Sequence, residues 1–480
     1  MEKKPARINE DCLAVGIGLL VFGLALGGLA GADLLGWAVT TSVWTNLGKA
    51  LGTVSKTYSG LPGLGALAAT YVFLGLVLTA GARALGASVG RFLKGFTAVF
   101  LISYACWIAG SWAYIAATPD KLKAHGIGWS LNLTNEAGFI IALVAGLLVG
   151  NLFPKAVEAM KEAVRPELYV KTAIVILGGF LGVTAAEQLG LATSVMFRGL
   201  CAIIEAYLIY WALVYFIARK YFGFSREWAA PLASGISICG VSAAIATGAA
   251  IKARPVVPVM VSSLVVIFAV VELLFLPFLA QTFLYQEPMV AGAWMGLAVK
   301  TDGAAVASGA IVDSLIRAKA ATQGIHYQPG WIMGASTTVK VFIDVFIGVW
   351  AFILAWIWSA KIERREGEKV RASQIWQRFP KFVLGYLATF LLIVGIALLA
   401  PGLTAKAKAA MGQANVFRGI FFVMTFFTIG VVSNFRKLWE EGIGRLALVY
   451  VLCLFGFIIW IGLGISWLFF HGVKPPLMGG

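Results

Sequence analysis

The stretch A-P-L-A-S-G-I-S-I-C-G-V-S-A-A-I-A-T-G, Ala230 to Gly248, is long enough to cross a bilayer. Its centre nevertheless holds Ser234, Gly235, Ser237, Cys239, Gly240 and Ser242, where a lipid-facing helix would carry Leu and Ile. Backbone that leaves the helical ladder at membrane depth is tolerated only where protein or a cavity surrounds it. The stretch therefore predicts a discontinuous helix buried inside a helical bundle, unless its small residues serve only as a packing face for a neighbour.

The rest of the chain supplies that bundle. Of 480 residues 60% are hydrophobic and 12% charged, against roughly a quarter charged in a soluble domain, which excludes a soluble globular enzyme. A spanning helix needs about 20 mostly apolar residues. Runs of that kind lie at about 13 to 30, 65 to 87, 93 to 117, 137 to 153, 171 to 189, 199 to 218, 228 to 251, 256 to 281, 290 to 312, 331 to 359, 382 to 400, 414 to 434 and 446 to 470. They are long and do not alternate in polarity, which excludes a transmembrane β-barrel. The fold class is an all-α polytopic membrane protein with about 13 transmembrane helices.

The net charge of +16 does not point to nucleic acid, because the basic residues form no contiguous tract and sit in loops. With the N-terminus in the cytoplasm, 23 of the 38 Lys and Arg residues fall in inside loops, 13 outside, and two, Lys300 and Lys340, within spans. That bias places the N-terminus and the Lys361 to Lys381 loop in the cytoplasm and the C-terminus outside, in an inner (plasma) membrane. Residues 31 to 64, with Trp37, Trp44, Lys49 and Lys56, read as an interfacial segment. The five cysteines form no C-x-x-C pair, and the histidines His125, His326 and His471 lie in predicted loops. No cofactor or metal is expected.

About 190 residues after the first polar segment, F-F-T-I-G-V-V-S-N-F, Phe426 to Phe435, places Gly430, Ser433 and Asn434 near the end of another span. S-I-C-G-V-S and T-I-G-V-V-S are alike. Five spans run from 137 to 281 and five from 290 to 470, with the polar glycine segment fourth in each. Repeats of odd span number in one chain have opposite membrane orientations, so the expectation is an inverted repeat with crossed discontinuous helices, an arrangement that secondary transporters use. The corresponding division is 1–130 for three extra N-terminal helices, 131–285 for the first five-helix repeat and 286–480 for the second.

These motifs carry a resemblance. Ile238-Cys239-Gly240-Val241-Ser242-Ala243, A-G-A-W-M-G-L-A-V (Ala291 to Val299), T-V-K-V (Thr338 to Val341), F-P-K-F-V-L-G-Y (Phe379 to Tyr386) and F-T-I-G-V (Phe427 to Val431) are similar to segments of the YeiH-type sulfate exporter family. The resemblance covers about 330 residues from Ala137 onward. It implies a transporter of the cation/proton antiporter and anion transporter superfamily. The chain departs from the family pattern at Lys300, where histidine is expected, and at Ile343-Asp344, where a basic residue is expected.

Ionisable residues at membrane depth cost roughly 2.5 to 3.5 kcal/mol each on insertion scales, so each demands a reason. Lys340 and Asp344, four apart, share a helix face; they form either a structural ion pair or a cation lining an anion path whose charge Asp344 gates. Lys300-Thr301-Asp302-Gly303 interrupts an apolar run, because Asp and Gly disfavour helix interiors, and either lines the cavity or ends the helix in a loop. Glu205 and Glu272 are either satisfied buried acids or proton-coupling carboxylates.

The expected function is secondary transport of a small inorganic or organic anion, sulfate or a sulfonate, exported against a proton or sodium gradient. The alternatives are a cation/proton antiporter of the same fold, an anion channel, and a Ser/Lys hydrolase built on Ser237 or Ser242 with Lys340. The substrate site is expected where half-helices cross around Gly240 and Gly430. Ser237, Cys239, Val241, Ser242 and Ser433 would contribute to it, Lys340 would supply charge, Lys300 and Asp302 would line the approach, and Asp344, Glu205 and Glu272 would couple. The expected partners are the anion, the coupling ion, the lipid bilayer and a second copy in a homodimer.

Overall fold

The computed structural model describes residues 9–117, 121–131, 133, 137–187, 189–254, 256–358, 362, 381–433 and 444–478. The expected cytoplasmic loop from Lys361 to Lys381 falls almost wholly outside them, as does Asn434. The described chain is mostly helix, as sequences that must satisfy their backbone polar groups within lipid require. Among the described residues ten helices are long and apolar enough to cross a membrane, or eleven if Ala137–Leu152 and Pro154–Met160, bent by 111°, make one span.

Two compact units interleave along the chain: Met1–Ala192, Arg317–Tyr327 and Lys381–Val432 form one, and Thr193–Ile316, Gln328–Pro380 and Ser433–Gly480 the other. Boundaries at 130 and 285 do not coincide with them. Helices in lipid associate through small-residue faces that allow close approach, and such faces need not follow chain order.

The first unit shows this packing directly. Gly146 and Gly150 of the Ala137–Leu152 helix lie against the Thr404–Val432 helix, where a Cβ on each would stand 2.0 Å from the Phe427 carbonyl oxygen and 2.4 Å from that of Val431. Gly178 of Pro166–Glu187 is equally close, 2.3 Å, to the Tyr386 carbonyl oxygen of Lys381–Leu399, and the Thr389 hydroxyl crosses the same seam to donate to the Val175 carbonyl at 2.8 Å. Residues between the first two long helices form a short antiparallel hairpin, Val39–Thr41 with Leu51–Thr53, followed by a 3-10 turn at Lys56–Tyr58. The Trp44 indole N–H donates to the Ile108 carbonyl at 2.7 Å and ties that hairpin region to the Val89–Gly110 helix.

In the second unit two helices are interrupted. Arg226–Ser237 stops, Ile238 and Cys239 leave the helical ladder, and Gly240–Ala250 resumes it; Cys239 is extended, with φ −138° and ψ 118°. Pro288–Ala298 likewise stops at an extended Val299, and Asp302–Ala321 begins after Lys300 and Thr301. The second interruption lies at Val299–Thr301, and not around Gly430 as the likeness of T-I-G-V-V-S to S-I-C-G-V-S leads one to expect. Gly430 sits inside a helix that runs unbroken from Thr404 to Val432, because its neighbours Phe426, Phe427, Ile429 and Val431 are apolar and buried. The interruptions thus fall in the fourth span of the first expected five-helix run and the first span of the second.

Candidate functional site

The two interruptions touch. The Gly240 N–H donates to the Lys300 carbonyl at 2.6 Å, joining the backbone gaps of two different helices. A side chain at position 240 has no room, since a Cβ would stand 2.1 Å from Val265 Cγ1 and 3.3 Å from Thr301 Cγ2.

Cutting a helix leaves carbonyls without intrahelical donors at the new C-terminal end, where the macrodipole is also negative. Each cut here is met by a lysine. Lys340 Nζ donates to the Ile238 carbonyl at 2.7 Å, past the end of Arg226–Ser237, and Lys300 Nζ donates to the Leu297 carbonyl at the end of Pro288–Ala298. Both lysines are about 98% buried or more. Lys300 Nζ also lies over the Tyr210 ring, 4.5 Å from its centroid, a cation–π contact that gains strength when desolvated.

Two carboxylates bracket Lys300. Glu272, on Val256–Phe283, accepts the Lys300 backbone N–H through Oε2 at 3.2 Å, while its Oε1 has no hydrogen-bond partner among the described residues. Glu205 is fully buried beside the Tyr210 hydroxyl. It lies in a π-helical segment, Ile204–Tyr210, of the kind often found at functional sites. The Tyr210 hydroxyl at the end of that segment donates to the Ile458 carbonyl at 2.7 Å, and Ile458 closes a second π segment, Leu454–Ile458. A Cβ on Gly462 would stand 2.7 Å from that hydroxyl and 3.4 Å from Glu205 Oε1, so glycine is what lets Ile459–Phe470 close over the pair.

The helix that carries Lys340 and Asp344, Trp331–Val345, is fixed by the second interrupted helix. Gly292 and Gly296 admit it so closely that a Cβ would stand 2.3 Å from the Ile332 carbonyl oxygen and 2.5 Å from that of Ser336. The Ser336 hydroxyl donates to the Ala305 carbonyl at 2.9 Å. Asp313 caps the incoming end, accepting the N–H of Gly330 and of Ile332 at 3.1 Å each. Asp344 is buried one turn beyond Lys340. Within the first interrupted helix, Thr247 donates to the Ser234 hydroxyl at 2.7 Å and Trp211 donates to it at 2.9 Å, which ties the two halves together.

Of the residues expected in the site, the structure gathers Ser237, Cys239, Gly240, Lys300, Lys340, Glu205 and Glu272 in one unit around the two gaps. The Ser237 hydroxyl is buried with no hydrogen-bond partner among the described residues. Val241 and Ser242 lie in the first turn of Gly240–Ala250, and Asp302 begins Asp302–Ala321; their side chains lie outside what is described. Gly430 belongs to the other unit and serves backbone packing, with a Cβ position 2.4 Å from the Leu143 carbonyl oxygen. Ser433 is buried just past the end of that helix. Sequence reasoning missed Tyr210, Asp313 and Gly462, whose residue types carry no signal of these contacts. Thr301, which the sequence places in the Lys300–Gly303 interruption, accepts the Ala304 N–H through its hydroxyl at 3.3 Å and starts the second half-helix as a cap residue.

A family model described as conserved hypothetical protein 698 matches residues 94–449, which include both interrupted helices and both buried lysines. The chain is similar to a UPF0324 membrane protein of Nitrosomonas europaea, 41% identical over 479 residues, covering 98% of this chain and 97% of that one. It is also similar to an uncharacterized protein of Archaeoglobus fulgidus, 52% identical over 170 residues, covering 31% of this chain and 91% of the relative. A UPF0324 membrane protein of Nitratidesulfovibrio vulgaris is 29% identical over 422 residues, covering 85% of this chain and 64% of the relative. The first three helices, which the motif resemblance left aside, are shared with the Nitrosomonas relative. No solved structure matches the chain.

Proposed function

We propose a transport function for this chain, which belongs to the conserved hypothetical protein 698 family, the UPF0324 membrane proteins. It is a secondary transporter of a small anion, sulfate or a sulfonate, that works in the inner membrane with its N-terminus in the cytoplasm. The observation that carries the reading is the meeting of two interrupted helices at Gly240 and Lys300 with a lysine seated on the carbonyl end of each. Where helices are broken at membrane depth, their carbonyl ends coordinate sodium or protons and their N-terminal ends face anionic groups. Here both carbonyl ends already hold a tethered ammonium. What the gaps still offer is the N-terminal ends at Gly240 and Asp302, with their partial positive charge, and the unbonded Ser237 hydroxyl.

The same occupancy disfavours sodium as the coupling ion at those carbonyls and leaves the proton, with Glu205, Glu272 and Asp344 as the buried groups able to carry it. The two carboxylates beside Lys300 also support a second reading, a cation/proton antiporter in which a cation displaces the lysine. Thirteen crossings follow if both interrupted helices span the bilayer in addition to the eleven other spans. An inverted relation between two five-helix halves fits two breaks that meet, although they lie at unlike places in the order of spans. No covalent catalysis is part of the proposal, and a serine-reactive probe labelling Ser237 or Ser242 would contradict that.

The test is uptake into proteoliposomes of radiolabelled sulfate, sulfite and taurine, under imposed proton and sodium gradients, with rubidium and sodium flux measured in parallel. Gradient-driven anion accumulation supports the reading. Cation–proton exchange without anion flux replaces it by the second reading, and steady conductance without exchange replaces it by a channel.

A further inference from the structure

Glu272 poses a question that the transport reading does not answer: why an anion-handling site holds a carboxylate at its centre. Its Oε2 takes the backbone N–H of Lys300, a donor set free by the second helix gap, and its Oε1 is buried with no hydrogen-bond partner among the described residues. The Lys300 residue whose N–H it accepts is the one whose carbonyl receives the Gly240 N–H at 2.6 Å. The carboxylate therefore stands at the point where the two gaps meet, on a backbone donor that a transported oxyanion would use.

Its surroundings are those of an anion site. The carboxylate lies in the electrostatic field of the ammonium groups of Lys300, from the second gap, and of Lys340, from Trp331–Val345, and Tyr450 of Gly444–Cys453 lies in the field of the carboxylate. Glu205 acts on Lys300 as well. The Gly240–Ala250 half, packed along the same helix, has no ionisable residue, and neither has the rest of Val256–Phe283. One carboxylate thus lies in the field of two cations and holds a backbone donor of the gap, with one oxygen unsatisfied among the described residues.

We propose that the Glu272 carboxylate is a built-in substitute for the substrate anion, and that the anion enters only when Glu272 takes up a proton, so that anion and proton travel together in the same direction. The inference rests on the anion-transport reading with the proton as coupling ion, assigns the coupling to Glu272 and sets its sense as co-transport, which under an inward proton gradient drives uptake in place of the export expected from the sequence. A proton arriving from one side converts the carboxylate to a carboxylic acid, its hold on the Lys300 N–H weakens, and the incoming oxyanion replaces it beside the two lysines. Release on the other side reverses each step: the proton leaves, the carboxylate returns to the donor, and the anion departs. No group is oxidised or reduced, and one proton accompanies each anion.

The test uses the purified full-length protein, wild type and Glu272→Gln, and the saturable thermal stabilisation given by sulfate over a pH series at fixed ionic strength. Competition between proton-sensitive Glu272 and the anion makes wild-type sulfate affinity rise about tenfold for each unit of pH fall through the range where Glu272 is ionised in the anion-free protein, and level off below it, as linkage of one proton to one anion requires. Glu272→Gln, which keeps the shape and loses the charge, binds sulfate with no pH slope. In proteoliposomes, sulfate entry into wild type carries protons inward, while the variant exchanges internal for external sulfate without proton movement. A flat wild-type pH profile, a slope retained in the variant, or protons moving against the sulfate overturns the inference while leaving anion transport standing. If Glu272→Gln does not fold, the wild-type slope and proton direction decide alone. Absence of any response to sulfate, sulfite or taurine at every pH in both proteins overturns the anion reading and this inference with it.

Discussion

Replacing Lys340 by methionine separates two roles that the sequence leaves open. The ammonium donates a charge-assisted hydrogen bond, 2.7 Å to the Ile238 carbonyl, inside a buried setting. Hydrogen bonds to charged groups contribute about 1.5 to 3 kcal/mol, and the carbonyl left behind cannot reach water. Methionine nearly matches the lysine stem in volume, so little cavity cost is added. The expected loss is therefore about 2 to 3 kcal/mol, read as a shift in the unfolding midpoint when the purified protein is titrated from mild detergent into denaturing detergent. A partnership limited to Asp344 predicts something else, namely that Lys340→Met with Asp344→Leu regains wild-type stability, because removing both members of a buried pair is often neutral. The cap on Ile238 predicts that the double variant stays destabilised, since neither substitution restores a donor to that carbonyl. It also predicts no transport, because the gap loses the charge that offsets the substrate. A double variant as stable and as active as wild type would refute the assignment of Lys340 to the helix gap.

Three further outcomes follow from particular contacts. Gly240→Ala should insert and fold with a loss of about 1 to 3 kcal/mol from overpacking and abolish transport, because its Cβ would press on Val265 and Thr301 at the crossing; proteoliposome flux beside the elution profile checks both halves, and undiminished flux returns the segment to simple packing. Gly430→Ala should cost stability of the same order while sulfate affinity per folded molecule stays unchanged, because it strikes the backbone of Leu143 and Leu147 and not the gaps. Glu227 accepts from Arg254 at 3.0 Å and from that residue's backbone N–H at 2.7 Å, which lowers its carboxyl below the ordinary carboxylate range. A lowered folded-state value means the contribution is full at neutral pH and is lost only as pH falls through that lowered value. Glu227→Gln should then be less stable than wild type by no more than about 1 kcal/mol at neutral pH, since the pair is solvent-exposed, and the difference should vanish in acid; a difference that persists in acid contradicts the pairing.

What the sequence disclosed depended on whether a residue's type spoke for its surroundings. Apolar runs announce spanning helices, and the hydroxyl, thiol and glycine cluster from Ser234 to Ser242 announces an interruption, because nothing else puts such residues at mid-depth. Lys300-Thr301-Asp302-Gly303 was legible for the same reason. Gly430 was not, because a glycine that breaks a helix and a glycine that admits a neighbouring backbone are the same residue, and only the facing Gly146 distinguishes them. Asp313 escapes a sequence reading because the donors it accepts from lie across a turn, on the backbone of Gly330 and Ile332. Tyr210 escaped because it reaches Ile458 through a π segment that no periodicity in an all-apolar run can signal. Lys340 is legible as a cation at membrane depth and is buried, but the Ile238 carbonyl it reaches, 102 residues away, cannot be read from side-chain types.

The two lysines and Glu272 then make sense as one design problem. An interrupted helix in low dielectric must satisfy its cut carbonyls without water, and a lysine ammonium does so from a distant helix while adding a full positive charge. Two such charges with no counterion would be costly to bury, which is a reason for carboxylates within their field. Glu205 lies beside Tyr210 and Asp344 on the helix of Lys340, whereas Glu272 accepts a backbone N–H of the gap itself. A mobile anion can neutralise the lysines only by doing what Glu272 does, from the same place. Exclusion between the tethered anion and the mobile one is then a consequence of sharing two cations and one N–H, and it couples the substrate to the proton without any separate gate.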